Sequence, residues 1–299
     1  MSKRFFYFFV SIVFLCNFCV YAQNKPFKSK NSLLKSASSK SLVKTAANYQ
    51  WSINFPKSNN EKDTLQIIAI RVEFKQNNES ALTTGNGLFG IRGNPSSKDE
   101  QKYYLNNTYK FDNLPHDYFY FENQLKALRN YYAKVSRQKL ELEYSIYPKN
   151  RSQSLETGSG YSVDNNMTYY SPGWKKKEEK SDEYWDRKTH GLMTFVKDAV
   201  NAAANSVEDS PFANLKQDGD GVLRDVTTNR KAVILIFHAG ASYLTDGGLE
   251  GGAGANTPSD MIDAFIDRDF FKYFKDTLGL NETGISVKGS GGQTIVIDE

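Results

Sequence analysis

The chain has 299 residues, 39% of them hydrophobic and 24% charged, with a formal net charge of +4. Residues 1–45 hold eight Lys or Arg and no acid, so subtracting those eight from +4 leaves −4 for residues 46–299. The basic excess belongs to a leader, which excludes nucleic acid as the partner it implies. The only cysteines, Cys16 and Cys19, lie in the first 22 residues, so a mature chain would have no disulfide, cysteine metal site or cysteine nucleophile.

Met1–Ala22 has the order of a secretory signal peptide: Lys3 and Arg4, an apolar run from Phe5 to Phe18, then Val20-Tyr21-Ala22. Cleavage is expected after Ala22, giving a secreted, extracellular protein with no membrane contact afterwards. An uncleaved anchor is the alternative, because Phe5–Ala22 approaches the length of a membrane span. Residues 23–50 read as a basic Ser/Lys-rich linker or pro-region, since Asn24–Thr45 carries six lysines and no acid. Folding is left to residues 51–299.

Thr64–Phe74 is apolar and β-branched on both faces, as an interior strand covered on each side must be. Lys75–Asn113 has little periodicity and reads as a surface excursion. Leu125, Leu128, Tyr132 and Val135 then recur at helical spacing behind the aromatics 118–121, predicting a helix over 117–136. The aromatic stripe is either core or a ligand platform, and base rates favour core. Leu140, Leu142, Tyr144 and Ile146 alternate before Pro148, predicting a half-buried strand over 139–147.

The passage from Leu128 through Tyr131, Tyr132, Val135, Ser136 and Leu140 to Tyr144 resembles the helix-to-strand passage of the M6 secreted metallopeptidases, the immune inhibitor A type. The pattern of that family ends the helix in Ser-x-Gly. Here Gln138 stands in the glycine's place, which implies a different turn geometry.

Asn150–Lys188 is polar and aromatic and reads as a surface insertion, or alternatively as a cleft lining. Leu192, Phe195, Val196, Ala199, Val200 and Ala203 predict a helix over 189–205. Next comes an acidic, glycine-broken loop, Asp218-Gly-Asp-Gly, and then Ala232–Phe237, a run whose apolarity predicts a fully buried strand over 231–238. An EF-hand is rejected because Lys216 and Thr227 occupy its first and last ligand positions. Two readings stay open: a looser calcium cage of Asp218, Asp220 and Asp225, and an acidic β-turn with glycines at positive φ. Thr257-Pro258-Ser259-Asp260 has the residues of a capped helix start, and Gln293–Glu299 reads as a strand.

Asp209, Phe212, Asp218–Gly221, Asp225 and the strand ending in His238-Ala239-Gly240 are similar in order and spacing to the same M6 family, as is Thr257–Asp260. The resemblance covers about Leu65–Glu299. It implies a zincin or metzincin-like α/β fold, a mixed sheet with packing helices, and zinc-dependent cleavage of protein or peptide substrates.

The zinc motif His-Glu-x-x-His is absent, for the only histidines are His116, His190 and His238. His116 and His190 read as lying near helix starts, and His238 as a structural histidine ending a strand. In the family the zinc helix lies beyond this region. The expectation is therefore the N-terminal part of a secreted zinc metalloendopeptidase, an incomplete catalytic domain inactive alone. The alternative is a secreted, non-catalytic, calcium-stabilised binding module or pseudopeptidase.

Overall fold

A computed structural model describes residues 62–76, 83, 86–90, 116–150, 160–173, 181–207, 209–243 and 259–298. The signal peptide, the basic linker, most of the 75–113 excursion, the lysine run at 175–177, and Thr257 with Pro258 lie outside the described residues.

Everything is laid around β1 (Asp63–Glu73), which is buried from Gln66 onward. Its alternating faces are both apolar, so both must be covered. On one edge β2 (Leu140–Tyr147) runs parallel in register from Asp63↔Leu140 to Ile70↔Tyr147. The two-residue β3 (Tyr161–Ser162) continues that edge opposite Val72 and Glu73. On the other edge β6 (Lys231–His238) is parallel from Leu65↔Lys231 to Val72↔His238. The hairpin of β4 (Leu215–Gln217) and β5 (Leu223–Asp225) joins β6 antiparallel, through the single pair Arg224↔Lys231. The sheet is therefore mixed, in the order β2-β1-β6-β5-β4.

Two long helices cover it. The first, α1 (Tyr118–Val135), opens where the Asp117 carboxylate accepts from Tyr120 N at 2.9 Å. It closes at Ser136, whose Oγ accepts from Leu140 N at 3.0 Å and so leads the chain into β2. In that turn Arg137 and Gln138 have φ of 56° and 65°. Gln138 thus adopts the left-handed backbone that glycine would favour.

The short α2 (Met167–Tyr170) precedes α3 (Ser181–Ala204). Phe121 of α1 lies 4.9 Å from Phe237, whereas Phe195 of α3 lies 6.1 Å from His238. Successive residues of a strand face opposite sides, so α1 and α3 sandwich the sheet. The later chain adds α4 (Arg268–Phe274) and the hairpin of β7 (Ile285–Lys288) with β8 (Thr294–Ile297), the last as expected of a C-terminal strand.

Three expectations change. The helix expected over 189–205 begins at Ser181, so His190 sits within it rather than at its start. No helix starts at Ser259-Asp260: both residues are buried in a turn, Met261 bridges to Ser242, and the next helix is α4, capped by Asp267. The reason is that the Asp260 carbonyl accepts from Ser171 and Lys188, which holds this backbone against α3. Finally, β6 is not fully buried: within it only Ala232 is, and Val233–His238 are half-buried.

Gly191 allows α2 to lie against α3, because a Cβ there would come within 1.9 Å of the Tyr170 carbonyl oxygen. Gly191→Ala is therefore expected to destabilise by about 1–3 kcal/mol through overpacking, despite alanine's better helix propensity. Urea unfolding checks this, and a stabilised variant would contradict the close approach.

Candidate functional site

The three parallel strands fix where a site can form. From β1 the chain crosses by α1 to β2 on one side, and it returns after α3 to β6 on the other. In open α/β sheets the crevice lies at the carboxyl ends of strands whose connections diverge in this way, here between β1 and β6. Glu73, Phe74, His238, Ala239 and Gly240 stand there.

Ala239 N donates to the Val72 carbonyl at 3.0 Å, and the chain leaves through Gly240, exposed with φ of 89°. His238 Nδ1 lies 3.0 Å from the Ala239 carbonyl oxygen. A carbonyl can only accept, so Nδ1 is the donor in this contact. The ring rests against Phe74 and Phe195, each with its centroid 6.1 Å away.

On the α1 face of β1, two charged side chains are sealed in. Arg71 has no solvent exposure; its Nη2 donates to the Pro148 carbonyl at 2.6 Å and to that of Asn150 at 3.3 Å. Its guanidinium sits 5.5 Å from the Tyr118 ring. Loss of solvation draws its pKa down to about 10, opposed by Tyr118, Glu73 and Asp117. The Glu73 carboxylate accepts from Phe89 N at 2.8 Å. Nearby, the Tyr161 hydroxyl donates to the Asp209 carbonyl, and Lys149 N donates to the Asp209 carboxylate. These bonds tie the strand ends to the segments at 86–90, 148–150 and 209.

On the α3 side, Lys188 is also buried. Its Nζ donates to Ser171 Oγ at 2.6 Å and to the Asp260 carbonyl at 3.1 Å, and it lies 4.2 Å from the Tyr243 ring centroid. Burial lowers its pKa to about 8, with Asp260 working in the opposite direction. A serine beside a lysine of reduced basicity has the composition of an activated nucleophile. Its geometry is different: Ser171 Oγ gives its proton to the Asp260 carbonyl at 2.7 Å, and Ser171 and Lys188 are 2% and 1% exposed. The cluster is a tie between α2, α3 and the 259–261 segment.

The candidate calcium residues are not brought together. Asp218 Oδ1 accepts from Val222 N at 2.9 Å and Asp220 N at 3.1 Å, while Oδ2 meets Arg224 Nε at 2.7 Å. Hydrogen bonding from Arg224 is the main reason the Asp218 pKa is lowered. Asp225 Oδ1 accepts from Thr227 N and Thr228 N at 2.9 and 2.8 Å. Asp225 pairs with Leu215, three residues before Asp218, so the two carboxylates are rooted at opposite ends of the hairpin, about 10 Å apart. The carboxylates build turns, and Gly221, with φ of 81°, closes one of them.

The histidines stand at separate places in the fold. His116 stacks on Tyr120 at 4.3 Å, His190 is exposed in mid-α3 facing Phe274, and His238 ends β6. Among the described residues no group of three or more His, Cys, Asp or Glu is placed to hold a metal. Sequence reasoning missed Arg71, Glu73, Ser171, Lys188 and Asp260. A charged pair spaced two apart inside an otherwise apolar strand was the available signal for Arg71 and Glu73.

Two outcomes are expected from this chemistry. Between pH 8 and 10 the unfolded chain binds the Lys188 proton more fully than the folded one, so stability rises with pH by about 2–3 kcal/mol. Above pH 10 Tyr147, Tyr161 and Tyr170, whose pKa values burial raises, act the other way. Unfolding measured against pH, compared with Lys188→Met, isolates the slope; an identical slope in the variant would remove Lys188 as its origin. Secondly, Asp218→Ala lowers the melting temperature equally with and without calcium, because the carboxylate is spent on Arg224 and the turn amides. A loss seen only in calcium would restore the cage.

Comparison with known proteins supplies no family: no family model matches the chain, and neither curated proteins nor solved structures match it.

Proposed function

We propose that this chain is the N-terminal, structural part of a secreted zinc metalloendopeptidase of the M6 type, exported by residues 1–22. Its substrates would be proteins or peptides, and its zinc would be held by a helix that these 299 residues do not contain. The observation that supports the reading is the placement of His238-Ala239-Gly240 at the carboxyl end of a strand parallel to β1, preceded by the Asp218–Asp225 turns. Phe212, part of the same resemblance, is fully buried. A mixed sheet with helices on both faces is compatible with a zincin-type domain.

In this reading β6 and the acidic turns are framework, and the chain's own residues carry no catalytic step. The purified chain is expected to bind far less than one zinc per molecule and to leave an unfolded protein substrate intact. A polypeptide continued past Glu299 by its coding frame is expected to contain His-Glu-x-x-His and to cleave that substrate in a chelator-sensitive way. Stoichiometric zinc or hydrolysis with the 299-residue chain alone would overturn the proposal, as would a continuation without the motif.

A further inference from the structure

The three parallel strands begin at one end of the sheet, and positive charge collects there. β1 opens after Lys62, β2 after Lys139, and β6 at Lys231 beside Arg230. Asp63 N donates to the Lys139 carbonyl at 2.9 Å, so Lys62 and Lys139 enter the sheet on neighbouring strands. α1 ends at the same place, because the turn closed by Ser136 and Leu140 leads directly from it into β2, and it brings Lys134 and Arg137. Lys62, Lys134, Arg137 and Lys139 are exposed. The acids at this end are Asp63, Glu141 and Asp225, half as many as the six cations, although residues 46–299 carry a net −4. Val135 stands among the cations with 52% of its surface exposed.

The rest of the chain indicates what meets this end. Between residues 77 and 258, the segments outside the described residues follow the carboxyl ends of β1, β2 and β6 or separate α2 from α3. None of them joins elements at the amino end. The chain enters there from residues 23–61, which hold seven lysines and a single acid, Glu61. That approach adds to the positive charge and does not neutralise it.

We propose that the amino-terminal end of the sheet docks on a membrane surface of anionic lipids, with Lys62, Lys134, Arg137 and Lys139 against the headgroups and Val135 between them. Clustered lysine and arginine are drawn to an anionic surface. An apolar side chain held exposed in their midst is stabilised only where it can leave water, which a lipid interface offers and a dissolved polyanion does not. The inference goes beyond the peptidase reading and does not depend on it. It departs from the expectation of no membrane contact after signal cleavage.

Co-sedimentation with lipid vesicles tests this, using the chain that begins at Gln23, the form signal cleavage would release. It is expected to bind phosphatidylcholine vesicles that contain phosphatidylglycerol, not pure phosphatidylcholine, and to bind less as salt is added. Lys134→Glu with Arg137→Glu and Lys139→Glu is expected to lower partitioning more than about tenfold, with an unchanged circular dichroism spectrum. Lys75→Glu with Lys272→Glu and Lys275→Glu makes the same charge change elsewhere and is expected to lower it less than about threefold. Val135→Gln, which leaves the charge alone, is expected to lower it about threefold. Absence of binding, equal binding to the neutral vesicles, or equal losses from the two triple variants would each overturn the proposal. Binding to dissolved dextran sulfate as tight as to vesicles, with Val135→Gln without effect, would overturn it in favour of a soluble polyanion.

Discussion

The burial of β1 on both faces and both edges is the constraint on which the other elements depend. Ala69, Ile70 and Val72 have no exposure, so each neighbour of the strand must be in place before it can leave water. Burying one such side chain contributes about 1.5–3 kcal/mol, and a strand of them repays the ordering of long-range neighbours. The strand nevertheless carries Gln66, Arg71 and Glu73 into the same interior. Gln66 reaches Ser145 of β2 at 3.3 Å, and Arg71 and Glu73 reach main-chain atoms of the loops at the carboxyl end. Removing one partner of such a buried set would leave an uncompensated charge, costing more than the pair gains. The polar residues of β1 therefore act on the irregular chain: they dictate where the loops leaving the sheet must lie.

The same logic governs the α3 side. Lys188 is held by one hydroxyl, one carbonyl and the aromatic faces of Tyr243 and Tyr184, which together replace the water around an ammonium. The replacement is incomplete, and the group becomes easier to deprotonate. At the hairpin, Asp218 and Asp225 direct their carboxylates to amides two to four residues ahead and so rigidify the entry to β6. Gln217 links that turn to β8, accepting from Val296 N at 3.1 Å. Charged residues that suggest chemistry in the sequence are thus engaged in positioning backbone. A fold of this kind can host many functions, and the function belongs to whatever site is placed on it.

Elements with a clean period were legible in the sequence. β1, β2, β6 and α1 fall within about one residue of their expected limits because one variable, which face is apolar, determines them. The first turns of α3 were not legible, since Ser181–His190 is polar on inspection and its buried positions are Tyr184 and Lys188. A lysine is read as solvated unless its partners are known, and those partners, Ser171, Tyr243 and Asp260, are far away in sequence. Thr257–Asp260 shows the converse failure. Its capping residues are genuine local preferences, but Ser171 and Lys188 compete for the Asp260 carbonyl and tertiary contacts win. In the acidic loop the ligand count could not separate cage from turn. Arg224, six residues from Asp218, decides where that carboxylate points.

The contrast between β1 and β6 takes this one step further. Both strands are β-branched and apolar on alternate faces, and composition alone assigns them the same environment. Helices reach both faces of β6 at its carboxyl end, Phe121 meeting Phe237 and Phe195 meeting His238. What differs is the edge: β1 has partners along both of its sides, whereas β6 has one along a single side and a one-residue contact on the other. Side-chain pattern reports faces, because side chains point to faces. It carries no direct information about edges, where only backbone is presented and every residue type presents the same groups. An edge is marked in sequence only by the devices that block it, and β6 has none between Lys231 and His238. The number of neighbours of an apolar strand is therefore settled by where the rest of the chain runs, as β5, pairing only through Arg224, settles it for β6.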